Sequence, residues 1–253
     1  MHPYLFGIEA LPSYIVFIFI GIVAAFICYR FLADKVTLDQ KSFVFFGVAA
    51  IVATAIGFVF AWLFQMLYNF IESGEIGSGI TFMGGLLGGI AIFFTTYFLF
   101  GKKHKEQLPK FVSVATPCIV LAHGIGRVGC FLAGCCYGKT TSSFIGVRFV
   151  ESIKSSGEYI MGDPRIPTQL IEAIFLFALF AALLLIIFKL KKPQLSILIY
   201  LYSYSIFRFV LEFLRDDPRG ALVLGLSPSQ ALCILMLIAA VLTHVISVRK
   251  KQG

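Results

Sequence analysis

FVSVATPCIVLAHGIGRVGCFLAGCCYG, residues 111–138, decides the fold. It opens as an unbroken apolar run and closes on an arginine among glycines at 124, 126, 129, 134 and 138. The run is long enough to enter a membrane, and an arginine there costs on the order of 2.5–3.5 kcal/mol at mid-membrane. Such a residue persists where it has a partner and a task. His123 stands one turn before Arg127 and Cys130 three residues after it, so the three share one helix face. The glycines give clearance for a second backbone or a ligand. The stretch therefore reads as a membrane helix whose polar stripe is aimed at an anion.

The rest of the chain is of the same kind. Of its 253 residues 59% are hydrophobic and 13% charged, against about a quarter charged in soluble domains. Apolar runs cover residues 11–31, 42–71, 80–100, 111–130, 168–188, 195–214 and 226–248, each near or above the ~20 residues of a spanning helix. The second is too long to stand upright and must tilt or overrun the membrane surface. The expected fold class is an all-α polytopic membrane protein of seven transmembrane helices, a single domain over 1–253, with an external loop or small lid at 139–167. Val147-Arg148-Phe149-Val150 and a turn at Ser155-Ser156-Gly157-Glu158 fall in that loop.

Lys35 and Lys41, Lys102 to Lys110, Lys189 to Lys192 and Arg249 to Lys251 collect after odd-numbered runs. The opposite side receives Glu72, Glu75, Lys154 and Arg219 among others. The positive-inside rule then puts the N-terminus outside and the C-terminus in the cytoplasm. The net charge of +8 is read as anchoring against anionic lipid, not as a nucleic-acid footprint. No basic n-region precedes the first run, so that span is expected to stay in the protein.

Further polar residues interrupt the apolar runs. Arg208, Glu212 and Arg215 follow i, i+4, i+7 and form a second basic stripe, which suits either an anion site or an interfacial ion-pair ladder. Pro167-Thr168-Gln169-Leu170-Ile171-Glu172 opens the fifth run, where Glu172 reads equally as a helix-end charge and as a site residue. Gly84/Gly88 and Gly85/Gly89 form a small-residue face whose ordinary use is helix packing. Of six cysteines, Cys28, Cys118 and Cys233 read as core residues. Cys130, Cys135 and Cys136 cluster; Cys130 with one of the pair is a reasonable disulfide. With His123 they also form a metal set, but without the usual zinc spacing, so no metal and no cofactor are expected.

At these residues the chain resembles the prolipoprotein diacylglyceryl transferase family. Gly126-Arg127-Val128-Gly129-Cys130-Phe131, continuing to Gly134 and Gly138, is similar to the family signature Gly-Arg-x-Gly-Asn-Phe-x-x-Gly-Glu-x-x-Gly. Phe82-Met83-Gly84-Gly85-Leu86 resembles its Phe-His-Gly-Gly-Leu, and Pro167 to Glu172 its Pro-Ser-Gln-Leu-Tyr-Glu. Phe207 to Arg215 resembles its Phe-Arg-x-x-x-Glu-x-x-Arg, and Tyr14 falls where the family has a functional tyrosine. The chain departs from the pattern at Met83 and Ile166, where the family has histidines, at Cys130 for asparagine and at Cys135 for glutamate.

The resemblance implies a multi-pass protein of the bacterial cytoplasmic (inner) membrane. It would take phosphatidylglycerol and the lipobox cysteine of a prolipoprotein signal peptide, form a thioether and release glycerol phosphate. Arg127 and Arg208 are expected to be catalytic, with His123 replacing the base missing at Met83. Tyr14, Gly84, Gly85, Gly126, Gly129, Cys130, Cys135, Gly138, Gln169, Glu172, Glu212 and Arg215 are expected to bind substrate. The competing readings are a relative that transfers a phospholipid-derived group to a different acceptor, an inactive lipid-binding relative, and a membrane thiol–disulfide protein or metal carrier using Cys130, Cys135 and Cys136.

Overall fold

The computed structural model describes residues 12–74, 77, 79, 81–153, 159–216 and 225–252, the side chains at 72–73, 82–83, 151–153, 159 and 246–252 excepted. Glu75, Lys154, the turn at Ser155 to Glu158, Arg219 and the side chains of Glu72, Met83 and Arg249 to Lys251 therefore lie outside the described residues. The helices are α1 Ser13–Lys35, α2 Gln40–Ser73, α3 Phe82–Phe100, α4 Leu108–Ala133, α5 Thr168–Phe188, α6 Ser196–Glu212 and α7 Pro228–Gln252. Six are long and apolar enough to cross a membrane, and Gly84–Phe100 is a shorter apolar helix. The chain is thus an all-α polytopic membrane protein. Its large apolar side chains point outward all along the helices, Phe19, Ile27, Phe98, Ile174 and Val210 among them. Its buried positions include Gln169, Glu172, Arg208 and Glu212. Lipid is the solvent that makes this arrangement stable.

Two compact units divide the chain, residues 33–111 and residues 1–32 with 112–253. In the first, α2 runs 34 residues, about 51 Å at 1.5 Å per residue, longer than the ~30 Å hydrocarbon layer. Asp39 caps its start by accepting the Ser42 amide at 2.9 Å, and Gly74 ends it in the left-handed region at φ 74°. α3 packs along α2. A Cβ on Gly84 would lie 2.5 Å from Phe64 Cβ, and one on Gly85 3.2 Å from Ala61 Cβ. The small-residue face of α3 is therefore closed by α2.

The second unit holds the first part of α1, most of α4, and α5, α6 and α7. Val120, Leu176, Leu179, Leu183, Ile186 and Tyr204 form its apolar core, and Phe175 stacks on Phe207 with ring centroids 3.8 Å apart. Between α4 and α5 lies an antiparallel hairpin, β1 Val147–Ile153 and β2 Tyr159–Arg165, with Val147 opposite Arg165 and Val150 opposite Met161. Val147 to Val150, read from the sequence only as part of the external loop, fall in β1. Phe149 is buried against Phe131 and Tyr137, and Gly138 and Lys139 donate to the carbonyls of Ile166 and Leu214 at 2.8 Å each. These contacts tie the hairpin to the end of α4 and the end of α6.

Candidate functional site

Five helix ends meet in this second unit. Tyr14 and Glu172 stand near the starts of α1 and α5, and Ser229 at the start of α7. Arg127 and Cys130 stand near the end of α4, and Arg208 and Glu212 near the end of α6. Alternating chain direction brings all of them to one end of the unit's helices. A Cβ on Gly129 would lie 2.6 Å from Phe17 Cβ, so α1 closes on α4 here. Gly126 faces open space. A Cβ on Gly138 would lie 2.5 Å from the Leu214 carbonyl oxygen, so only glycine lets the post-α4 segment pair with the chain around Arg215.

Glu172 is the hub. It is 0% exposed. Its Oε2 lies 3.0 Å from Arg127 Nε, and its Oε1 lies 3.6 Å from His123 Nε2 and 3.8 Å from Arg208 Nε. The Tyr204 hydroxyl donates to Oε1 at 2.9 Å. A carboxylate stripped of water survives only with partners of this kind. The expectation that Glu172 is equally a helix-end charge is therefore corrected: it faces Arg127 across α4 and Arg208 across α6. The chain of contacts continues through Arg208 Nη2, 2.7 Å from Glu212 Oε2 and donating to Ser229 Oγ at 3.2 Å. Ser227 Oγ donates to Glu212 Oε1 at 2.8 Å while accepting the Gln230 amide, so the cap of α7 is built into the site.

Arg215 lies buried at the turn after α6, against the Cys136 thiol. Arg127 and Arg208 pair with Glu172 and Glu212, and Arg215 adds a third buried guanidinium beside Cys136, so these five side chains carry one formal positive charge in excess. Among the described residues nothing hydrogen-bonds Arg208 Nη1 or Gln169 Oε1, both out of contact with water. Arg208 Nη1 can donate to the oxygen of a bound anion, and Gln169 Oε1 can accept from a hydroxyl.

Gln169 itself is held by donating from Nε2 to the Cys135 carbonyl at 2.5 Å, next to Thr168, whose hydroxyl donates to the Cys136 carbonyl at 2.9 Å. All six cysteines carry free thiols, and the sulfurs of Cys130, Cys135 and Cys136 lie within 4.8 Å of one another. Hydrogen bonds with the Cys130 and Cys135 thiols, and then Arg215, lower the pKa of Cys136. The Tyr14 hydroxyl lies within electrostatic range of all three thiols and of Arg127.

The structure therefore brings together His123, Arg127, Gln169, Glu172, Arg208 and Glu212, with Tyr14, Gly126, Gly129, Cys130, Cys135, Gly138 and Arg215 around them. Gly84 and Gly85 belong to the other unit and pack on α2. Sequence reasoning missed Tyr204, Ser227 and Ser229. The available signal was Tyr204 one turn before Arg208, the same spacing that singled out Glu212.

The fold and these side chains define a multi-pass membrane protein with a buried, net-positive ion cluster at one end of its helices. The family model for prolipoprotein diacylglyceryl transferase matches residues 3–246, and the chain belongs to that family. Its relatives include the phosphatidylglycerol--prolipoprotein diacylglyceryl transferase of Clostridium tetani, 31% identical over 258 residues that cover 100% of both chains. A second enzyme of that name, from Clostridium perfringens, is 38% identical over 71% of this chain and 66% of its own. That of Dehalococcoides mccartyi strain 195 is 32% identical over 81% and 77%.

Proposed function

We propose that the protein transfers the diacylglyceryl group of phosphatidylglycerol to the lipobox cysteine of prolipoproteins at the outer face of the bacterial cytoplasmic membrane. The observation that carries this reading is the buried ion cluster around Glu172 with its unbonded Arg208 Nη1, together with the further buried guanidinium of Arg215 beside Cys136. One phosphodiester balances the excess charge and supplies the missing acceptors. The names of the family's curated relatives support the donor and the acceptor.

In the reaction the acceptor sulfur attacks the glyceryl carbon that bears the phosphate. A carbon–sulfur bond forms and the carbon–oxygen bond to phosphate breaks, so glycerol phosphate leaves with the electron pair. Arg127 and Arg208 hold the phosphate oxygens and stabilise the charge as it builds on the leaving group. Glu172 orients both guanidiniums, and Glu212 with Ser229 fixes Arg208. His123 takes the thiol proton. Tyr14, Gln169, Arg215, Cys130 and Cys135 surround the headgroup, while Gly126, Gly129 and Gly138 give the backbone clearance for it. Gly84 and Gly85 let α2 and α3 close on each other.

Lys189, Lys191 and Lys192 follow α5 at the end away from the cluster, so the positive-inside rule puts the cluster at the outer leaflet, with the N-terminus outside. The test is reconstitution in vesicles with a lipobox peptide. Phosphatidylglycerol as sole donor is expected to give a diacylglyceryl-thioether peptide and free glycerol phosphate. Turnover of phosphatidylglycerol without modification of the peptide cysteine would overturn the acceptor assignment, and absence of turnover would overturn the donor assignment.

A further inference from the structure

We infer that Cys130, Cys135 and Cys136 form a binding site for a thiophilic d10 cation of the Zn2+ and Cd2+ class. The geometry carries the inference independently of the transferase reading. The three sulfurs lie within 4.8 Å of one another. Metal–sulfur bonds of about 2.3 Å with tetrahedral or trigonal angles place sulfurs about 3.8–4.0 Å apart. A contraction of less than about 1 Å per pair therefore closes three ligands on one ion, with a fourth position left for water or an outside ligand.

The segment is built to keep these thiols together. After α4 the chain reverses through two left-handed residues, Gly134 at φ 71° and Cys136 at φ 66°. Cys136 holds that conformation without being glycine, which requires support from outside. Thr168 and Gln169 provide it by gripping the carbonyls of Cys136 and Cys135, and the Cys135 amide donates to the Cys130 carbonyl at 3.2 Å. These bonds hold the chain in the turn that gathers the three thiols, and Thr168 and Gln169 act as the outer shell of the site.

The donor set selects the ion. All-sulfur ligation favours zinc, cadmium or cuprous copper over calcium or magnesium. Cys130 is buried and the other two are half-buried, so the ion enters past Cys135 and Cys136. Binding forms three metal–sulfur bonds and sends three protons to water, with no oxidation or reduction. Three thiolates around a divalent ion carry one negative charge, and Arg215 and Arg127 stand beside the cluster to meet it. Sequence spacing gave no such indication, because Gly134 and Cys136 fold the chain back in a way that the Cys-x-x-Cys pattern does not describe.

The test uses the full chain in detergent under a non-coordinating reductant, titrated with Cd2+. One Cd2+ per chain, seen as a thiolate-to-cadmium charge-transfer band, is the expected result. The band should disappear in Cys135→Ser and Cys136→Ser and persist in Cys28→Ser and Cys233→Ser. Thr168→Val, which leaves every sulfur in place, should weaken binding about tenfold. Alkylation mapped by mass spectrometry on the unmutated protein guards against misfolded variants: Cd2+ should protect Cys135 and Cys136 and leave Cys28 as reactive as before. Equal labelling with and without Cd2+, a band that survives both serine changes, or a disulfide among the three under these reducing conditions would overturn the site.

Discussion

The two units solve the problem of polar groups beside lipid in opposite ways. In residues 33–111 the charged contacts, Asp39 with the Ser42 amide and Lys110 with the Thr37 carbonyl, lie at helix ends, while those inside the helices include short, neutral stitches. Ser42 Oγ meets His104 Nδ1 at 2.7 Å, and Thr81 donates to Gln65, which donates to Asn69. In the other unit the contacts are charged, extend over α4, α5, α6 and α7, and leave a positive surplus at Arg127, Arg208 and Arg215. Neutral stitches complete themselves and hold helices together. A surplus of buried charge is incomplete without a ligand, and that difference separates the structural half of the molecule from the half to which chemistry is assigned. The same contrast holds for glycine: Gly84 is filled by Phe64, while Gly126 faces open space.

Glu172 is where a single change should do most damage. Glu172→Ala strands Arg127 and Arg208 and removes the acceptor of Tyr204, and losing one partner of a buried pair costs about 3–5 kcal/mol. The thermal midpoint in detergent should fall by many degrees, more than for any single polar change in residues 33–111. A midpoint unchanged by Glu172→Ala would mean that the hub is not structural.

Next in size is the loss of a single group to which the proposed reaction gives a catalytic role, with the fold kept. Arg208→Lys retains the charge but not the planar fork, and turnover should drop about 10²-fold, the scale of one preorganised donor. His123→Gln should lower turnover by about 10²-fold or more with donor binding retained. Steady-state rates with circular dichroism as the folding control measure both.

On the other side of the comparison, Gly88→Leu forces a side chain into Phe60, which a bare Cβ already meets. Overpacking of this kind costs about 1–3 kcal/mol, read as a lowered thermal midpoint. The smallest effect belongs to Asp39. Hydrogen bonds from the Ser42 amide and hydroxyl, with weaker help from His104, hold its carboxyl below the usual carboxylate range. Its contribution is therefore fully present above the unfolded-state value and is lost as pH falls through the lowered folded-state value. Asp39→Asn should flatten that part of the acid limb, measured as the thermal midpoint against pH, and leave the limb's remainder in place.

Most of the helices were legible because lipid-facing residues must be apolar wherever they occur. The run at 168–188 coincides with α5, and the overlong second run is α2. The basic stripe of Arg208 and Glu212 was legible because helical spacing fixes which side chains share a face. Glu172 was only half legible: at a helix start the same residue serves as a dipole partner, and only the approach of α4 and α6 makes it a hub. Tyr204 and Ser229 looked like ordinary helix residues, and their role depends on what faces them. The three thiols could be grouped from their closeness in sequence but not placed as ligands of one ion, since the left-handed turns at Gly134 and Cys136 are tertiary choices.

Donor binding separates a phosphate held by Arg127 and Arg208 from a purely structural ion cluster. Affinity for phosphatidylglycerol and for uncharged diacylglycerol would be measured in nanodiscs for the native protein, Arg127→Gln and Arg208→Gln. If the guanidiniums hold the phosphate, each substitution weakens phosphatidylglycerol at least about tenfold, the ~1.4 kcal/mol of one charge-assisted hydrogen bond, and leaves diacylglycerol unchanged. Equal loss for both lipids, or no loss for either, would contradict it.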